Sequence, residues 1–131
     1  MRSVHAVQRI ESAAIALVAV VTVVALYPQW WWVLLAAFLL FDLSMVGYAR
    51  SAAAGATSYN VVHSYAWPAV AAALALVTSG SVPTFSTWAG VIACAWAFHV
   101  GVDRALGYGL KLPDAFTHTH LGRIGKDRAP N

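Results

Sequence analysis

Four long apolar stretches divide the chain. Hydrophobic residues dominate positions 7–27, 30–48, 58–77 and 85–106, and the segments between them contain Pro, Gly or charged residues. A helix needs about 20 mainly apolar residues to cross the hydrocarbon core of a bilayer, so each stretch is long enough to span a membrane. The pattern predicts four transmembrane helices, followed by a tail at 107–131.

Short connections separate these stretches. Tyr27 and Pro28 end the first stretch, the small residues at 51–57 are expected to form the second loop, and the segment 78–84 contains Ser, Gly and Pro. Pro68 lies inside the third stretch, where neighbouring helices must tolerate a kink. The sequence therefore predicts an all-α fold: a four-helix antiparallel transmembrane bundle in which residues 1–131 form a single membrane domain.

The beginning of the chain allows a second interpretation. A cleaved signal peptide would have the same basic start and apolar middle. No small-x-small cleavage motif follows Leu26, and the next apolar stretch begins almost at once. We therefore expect the first stretch to remain as a membrane span.

Composition supports the membrane class. Of the 131 residues, 60% are hydrophobic and 10% are charged, whereas soluble domains carry about a quarter charged residues. The lone cysteine, Cys94, rules out a disulfide framework and the CxxC motifs of metal or redox sites. Membrane lipids are the expected partners, and homo-oligomerisation is left open.

The positive charges are confined to segments on one side of the predicted bundle. The net charge is +3, which by itself would suit nucleic-acid binding. The basic residues, however, lie before or at the start of the first span, after the second, or at or beyond the end of the fourth: Arg2, Arg9, Arg50, Arg104, Lys111, Arg123, Lys126 and Arg128. Because Lys and Arg are retained on the cytoplasmic side, both termini are predicted to be cytoplasmic. We expect a multi-pass protein of the cell inner (plasma) membrane and no nucleic-acid partner.

Ionisable and strongly polar side chains within the spans define the candidate chemistry. Such residues are expensive in a bilayer and need a partner or a function. Given alternating helix direction, they all fall in the cytoplasmic half of the membrane: Glu11, Asp42, Asn60, His63, His99, Asp103 and Arg104. His99 and Asp103 are four residues apart and share one helix face, as do Tyr59 and His63.

Imidazole and carboxylate groups on facing helices are the donors that divalent metal sites in helical bundles use. The candidate metal ligands are Glu11, Asp42, His63, His99 and Asp103, and the last four are also the candidate catalytic residues. A hydrogen-bonded network without a metal has the same composition, with Asp103 fixing the tautomer of His99. The cofactor is left open between a divalent metal ion and none.

The tail supplies candidates for substrate binding. Gly107, Tyr108 and Gly109 are expected to form a turn on the membrane surface, where basic residues attract anionic headgroups. The two imidazoles of Thr117-His118-Thr119-His120 could bind a metal only from an extended backbone, and a solvated tail is the simpler interpretation. The candidate substrate-binding residues are Asn60, Arg104, Tyr108, Lys111 and His120.

Several motifs resemble one family. They are Arg9-Ile10-Glu11, Asp42 to Tyr48, Tyr59-Asn60 with His63, Tyr65 and Pro68, His99 to Arg104, Gly107 to Lys111, and Thr119 to Gly122. Together they resemble the small bacterial membrane proteins grouped as domain of unknown function 4260, over about residues 9–125. The resemblance implies a multi-span membrane protein and no particular activity. His5 and His118 lie outside the matching motifs.

Three functions remain open at this point. The first is a membrane enzyme, metal-dependent or not, that acts on a lipid or another amphiphile from the cytoplasmic leaflet. The second is a small proton-coupled transporter, although the opposite half of the predicted bundle offers no ionisable side chain to continue a path. The third is a structural or ligand-binding membrane module in which the polar residues only order the bundle. The sequence does not decide whether the protein is an enzyme.

Overall fold

A computed structural model describes residues 2–125, and Lys126 and Arg128, two of the basic residues noted above, lie outside that range. Within it, four helical segments are long and apolar enough to cross a membrane. We name them span 1 (Ser3–Leu26), span 2 (Pro28–Ala49), span 3 (Ala52–Thr78) and span 4 (Pro83–Leu106). The predicted four-span, all-α architecture is confirmed.

Spans 1 and 4 are continuous α-helices, whereas spans 2 and 3 are composite. Span 1 belongs to the helix Arg2–Leu26 and span 4 is the helix Pro83–Leu106. Span 2 joins a 3₁₀ turn at Pro28–Trp30, a short α-helix at Val33–Ala36 and a 3₁₀-helix at Phe38–Ala49. Span 3 consists of the α-helices Ala52–Val62 and Ala66–Thr78.

Span 4 is the centre of the fold. It has the most buried residues of the four spans and packs along span 1 on one side and the second helix of span 3 on another. Two of its glycines permit close approach to span 1 and to Tyr27, the residue directly after it. A Cβ on Gly101 would lie 2.8 Å from the Ser12 carbonyl oxygen, and one on Gly90 would overlap the Tyr27 hydroxyl.

The 3₁₀-helix of span 2 has three distinct rows of side chains, because residues three apart are eclipsed in this helix type. Phe38 and Phe41 pack against the imidazole of His99. The next row, Asp42, Met45 and Tyr48, faces the tail. The third row is exposed, at 63% for Leu40, 69% for Leu43 and 75% for Val46, as expected for a surface in contact with lipid.

Span 3 begins earlier than the sequence pattern indicated. Residues 52–57, which we expected in a loop, continue the helix, because their composition is rich in alanine, the strongest helix former. Ser51 caps the helix by accepting a hydrogen bond from the Ala54 amide at 3.1 Å. The expected loop at 51–57 is therefore wrong except at its first residue.

Pro68 explains the break in span 3. A proline clashes with the carbonyl four residues earlier and is tolerated in the first turn of a helix, so a new helix begins at Ala66, two residues before it. The carbonyls freed at the break find side-chain donors: Trp96 Nε1 donates to the Val62 oxygen at 2.7 Å and Arg104 Nη2 to the His63 oxygen at 2.9 Å. These bonds satisfy polar backbone groups within the bundle.

The tail folds back over the ends of the spans, so the expectation of a solvated tail is wrong. Strands His118–Thr119 and Gly122–Arg123 form a small antiparallel hairpin, and Lys111 bridges to Thr119. Lys111 is 3% exposed and Thr119 is 2% exposed. At the same end of the bundle, Arg9 Nε donates to the Ala105 oxygen at 2.7 Å. The side of the membrane on which this end lies stays a prediction.

Candidate functional site

Four of the predicted metal ligands meet at one point. Asp42 comes from the 3₁₀-helix of span 2, His63 from the break in span 3, and His99 and Asp103 from adjacent turns of span 4. One ligand atom from each residue lies within 4.8 Å of the others. We call this group the His/Asp cluster. Three spans thus contribute to it, as the cost of polar groups in a bilayer requires.

The spacing within the His/Asp cluster is close to that of ligands around one ion. His63 Nε2 lies 2.9 Å from His99 Nε2 and 3.4 Å from Asp103 Oδ2. Both imidazoles have Nε2 at 3.6 Å from Asp42 Oδ1, and His99 Nε2 lies 3.9 Å from Asp103 Oδ2. For tetrahedral bonds of 2.0–2.2 Å, ligand atoms are about 3.3–3.6 Å apart. The distances from 2.9 to 3.9 Å bracket this range, so two nitrogen and two oxygen donors lie close enough to share one ion.

The backbone fixes the tautomer of His63. Its Nδ1 lies 3.0 Å from the Tyr59 carbonyl oxygen, and because a carbonyl can only accept, Nδ1 carries the hydrogen. Nε2 of the neutral ring therefore presents its lone pair to the His/Asp cluster. The Tyr59 ring stacks on the imidazole with centroids 3.6 Å apart. A hydrogen bond from the second ring nitrogen to a backbone carbonyl is typical of metal-binding histidines.

His99 is enclosed by aromatic rings. It is fully buried, with the rings of Phe38 at 4.6 Å and Phe41 at 5.2 Å. Its Nδ1 is buried and has no hydrogen-bond partner among the described residues. Nε2, the atom that faces His63, is therefore the nitrogen of this ring that is placed to bind a metal ion or to form a hydrogen bond within the cluster.

The two carboxylates differ in their surroundings. Asp103 Oδ2 accepts a hydrogen bond from the Tyr59 hydroxyl at 2.8 Å, and its side chain is 14% exposed, against 25% for Asp42. Tyr59 was noted in the sequence for its spacing from His63 and within one family motif, but not among the candidate site residues. That spacing of four was the signal that could have identified it.

A pocket of about 210 Å³ opens onto the carboxylate side of the His/Asp cluster. We call it the lysine pocket. Its lining consists of Asp42, Met45, Tyr59, Asp103, Tyr108, Lys111 and Phe116. Two of the predicted substrate-binding residues, Tyr108 and Lys111, therefore lie beside the cluster. Burial lowers the pKa of Lys111 to about 8.

Asn60, also predicted to bind substrate, instead holds the tail. Its Nδ2 donates to the Lys111 carbonyl oxygen at 2.9 Å, and its Oδ1 accepts from the Lys111 amide at 2.7 Å. This pair of bonds joins span 3 to the tail and engages both polar atoms of the Asn60 side chain. Asn60 therefore affects the pocket by fixing the position of Lys111.

Glu11 is not part of the His/Asp cluster. It lines a separate pocket of about 240 Å³, together with Tyr65, Arg104 and His120. Span 1 packs at Gly101 of span 4, which is two residues from both His99 and Asp103. Two residues turn an α-helix by about 200°, so span 1 lies on the opposite face. The predicted candidates thus divide between two pockets.

The imidazoles of the tail do not form a ligand pair. His118 Nδ1 lies 2.7 Å from Asp114 Oδ2, and this hydrogen bond lowers the pKa of the Asp114 carboxyl. His120 Nδ1 accepts from the Leu110 amide at 2.8 Å, and burial lowers the pKa of its ring. The backbone at His118 is extended as a ligand pair would need, but each ring is engaged locally.

Comparison with known proteins assigns the chain to a family. The family model described as "Domain of unknown function (DUF4260)" matches residues 5–124. The chain belongs to this family. No curated protein and no solved structure matches the chain. All the residues of the His/Asp cluster and the lysine pocket fall within the DUF4260 match. Because the family description gives no function, the chemistry of these residues is the basis for interpreting the site.

Proposed function

We propose that this DUF4260 protein is a metal-dependent enzyme of the inner (plasma) membrane that acts on a lipid or another amphiphile from the cytoplasmic leaflet. Asp42, His63, His99 and Asp103 would bind one divalent ion. The observation that carries the proposal is the convergence of these four side chains, from three spans, at distances suited to one ion.

The donor set narrows the choice of metal. Two imidazole nitrogens and two carboxylate oxygens suit zinc, iron or manganese and exclude sites that depend on thiolates. With a coordination position open beyond these four ligands, a divalent ion held there would lower the pKa of bound water and polarise a carbonyl or phosphoryl oxygen. Hydrolysis of an ester or phosphoester bond is therefore the reaction class that we favour.

The surroundings of the His/Asp cluster support an amphiphilic substrate. The carboxylate side faces the lysine pocket, and the Asp42 row of span 2 is flanked by the exposed row of Leu40, Leu43 and Val46. A polar group in the pocket would remain close to an acyl chain outside span 2. The residues that would contact the substrate are Asp42, Tyr108 and Lys111.

The test is the metal content of the purified protein. We expect about one equivalent of a transition metal by elemental analysis. In His99→Ala and Asp42→Ala we expect the metal content to fall by about ten-fold or more. Glu11→Gln is the matched control, because Glu11 has a similar depth and lies outside the cluster. Wild-type protein that retains no metal after exposure to zinc, iron or manganese would contradict the proposal.

One observation favours a second candidate, a structural or ligand-binding module. The separation of 2.9 Å between the two Nε2 atoms is also the length of a hydrogen bond, which a neutral His99 could donate to His63. In that case Asp42→Asn and His99→Gln would lower the stability of the bundle, and wild-type protein itself would give a flat metal titration. Metal binding by wild-type protein therefore distinguishes the two candidates.

A further inference from the structure

Lys111 presents a buried ammonium group that makes no hydrogen bond within the part of the chain that the structure describes. The residue is 3% exposed, and its Nζ has no hydrogen-bond partner among the described residues. Three rings surround the ammonium group, with centroids at 4.2 Å for Phe116, 4.9 Å for Tyr59 and 5.7 Å for Tyr108. Cation–π contacts stabilise the charge in part, but they use none of its three N–H donors.

The backbone of Lys111 is held in place where the residue is buried. Lysines near a membrane interface usually extend the ammonium group to the aqueous side. Here Asn60 binds both the amide and the carbonyl of Lys111, and the bridge to Thr119 fixes the next part of the tail. Because leaving a buried charge unpaired is costly, this placement points to a ligand.

The charges of the site indicate the sign of that ligand. In the absence of a metal, Asp42 and Asp103 supply two negative charges to the wall of the lysine pocket. A divalent ion held by the His/Asp cluster would cancel both of them. Lys111 would then be the one uncompensated charge among the residues that line this pocket, in surroundings of low polarity where charges interact strongly.

We propose that the lysine pocket binds an anionic oxygen group of the substrate, a phosphate or a carboxylate, through the ammonium group of Lys111. This inference rests on the proposed metal site, since the ion removes the competing carboxylates. The ligand would lie between the ion and Nζ, with the Tyr108 and Phe116 rings beside it. The substrate class becomes an anionic amphiphile rather than a neutral one.

The experiment uses full-length protein in nanodiscs, with the cluster loaded with Co²⁺, whose visible absorption reports a change in its ligands. One arm adds inorganic phosphate to discs of phosphatidylcholine, and the second replaces part of that lipid by phosphatidylglycerol. We expect the spectral change to saturate as the phosphate concentration rises. A response to phosphatidylglycerol without added phosphate would identify the lipid headgroup as the source of the anion.

Lys111→Met is the decisive variant, and Arg123→Met, which removes a tail charge outside the pocket, is its matched control. We expect Lys111→Met to bind Co²⁺ normally and to need at least about ten-fold more phosphate. If that variant does not bind Co²⁺, Met45→Glu serves instead, because a carboxylate placed in the pocket should abolish the phosphate response.

Equal phosphate responses in Lys111→Met and wild-type protein would overturn the inference, as would a wild-type Co²⁺ spectrum that no anion changes. In both cases normal Co²⁺ binding would leave the proposed metal site intact. Wild-type protein that binds no Co²⁺ would instead contradict the proposed function and remove the charge argument with it.

Discussion

The Tyr59 hydroxyl donates to Asp103 Oδ2 at 2.8 Å, while the ring of the same tyrosine stacks on His63. One side chain therefore positions two members of the His/Asp cluster. Its backbone carbonyl also accepts the hydrogen of His63 Nδ1. Tyr59 is a positioning residue, and its removal should weaken metal binding without removing a ligand.

Tyr59→Phe tests this role. The variant keeps the stacked ring and loses the hydroxyl, which lies 2.8 Å from Asp103 Oδ2 and 3.3 Å from the Tyr108 carbonyl oxygen. We expect metal affinity to fall by about 10–100-fold, the usual effect of removing an outer hydrogen bond. Competition with a chromophoric chelator measures it. Tyr48→Phe is the control, because the Tyr48 hydroxyl is buried without a hydrogen-bond partner among the described residues. Equal affinity of both variants would show that the bond to Asp103 does not affect the ion.

Asn60→Leu should detach the tail from span 3. The Lys111 amide and carbonyl would lose their partners, at a cost of about 1–3 kcal/mol for each group that stays buried and unpaired. We expect faster hydrogen exchange at residues 110–119 with little change in spans 1 and 4. Thr57→Ala, which removes an exposed hydrogen bond within a helix, should leave the tail protected. Unchanged exchange in Asn60→Leu would contradict the assigned role.

Gly101→Ala should separate span 1 from span 4. The added Cβ would lie 2.8 Å from the Ser12 carbonyl oxygen and 2.9 Å from Ala16 Cβ, and overpacking of this kind costs about 1–3 kcal/mol. We expect a lower thermal midpoint by several degrees. At Gly80 nothing lies within 4 Å of an added Cβ, so Gly80→Ala should match wild-type protein. A midpoint unchanged in Gly101→Ala would show that the contact between spans 1 and 4 yields easily.

The hydrogen bond from the Leu110 amide to His120 Nδ1 should break in acid. Burial lowers the pKa of His120, and the charges of Arg104 and His5 act in the same direction; the carboxylate of Glu11 lines the same pocket. As the pH falls below the usual value of about 6.5, the unfolded chain binds a proton before the folded protein does. The folded tail therefore loses stability over this interval.

NMR of the Leu110 amide measures this titration. In wild-type protein we expect its resonance to move with a midpoint below about 6.5, because a protonated Nδ1 cannot accept the bond. In His120→Gln the resonance should stay constant over the same range. A midpoint above the usual value, or no movement at all, would be inconsistent with a buried neutral imidazole.

The four spans were predictable because each apolar stretch is long and the connections are short. The local form of spans 2 and 3 was not. Alanine-rich residues at 52–57 were assigned to a loop because they are small, although small size does not exclude a helix. The break at His63 is visible in the sequence only as Pro68, and hydropathy does not indicate where the freed carbonyls find donors.

The sequence predicts the level of the candidate site residues in the membrane better than the helix face on which each residue lies. Asp42, His63, His99 and Asp103 were identified because polar side chains at one level of a bilayer must find partners. Glu11 shares that level but lies behind span 4, since helix packing at Gly101 decides the face. The position of Lys111 depends on the bonds from Asn60, which link residues 51 positions apart in the chain.

The three-residue repeat of the Phe38–Ala49 helix places a strict limit on its length. Each residue of a 3₁₀-helix turns the chain by about 120°. Deletion of a single position between Phe38 and Asp42 would rotate the carboxylate into the aromatic side chains beside His99, and insertion of one position would rotate it out among the acyl chains. Insertions and deletions in this segment should therefore be as harmful as the replacement of Asp42 itself.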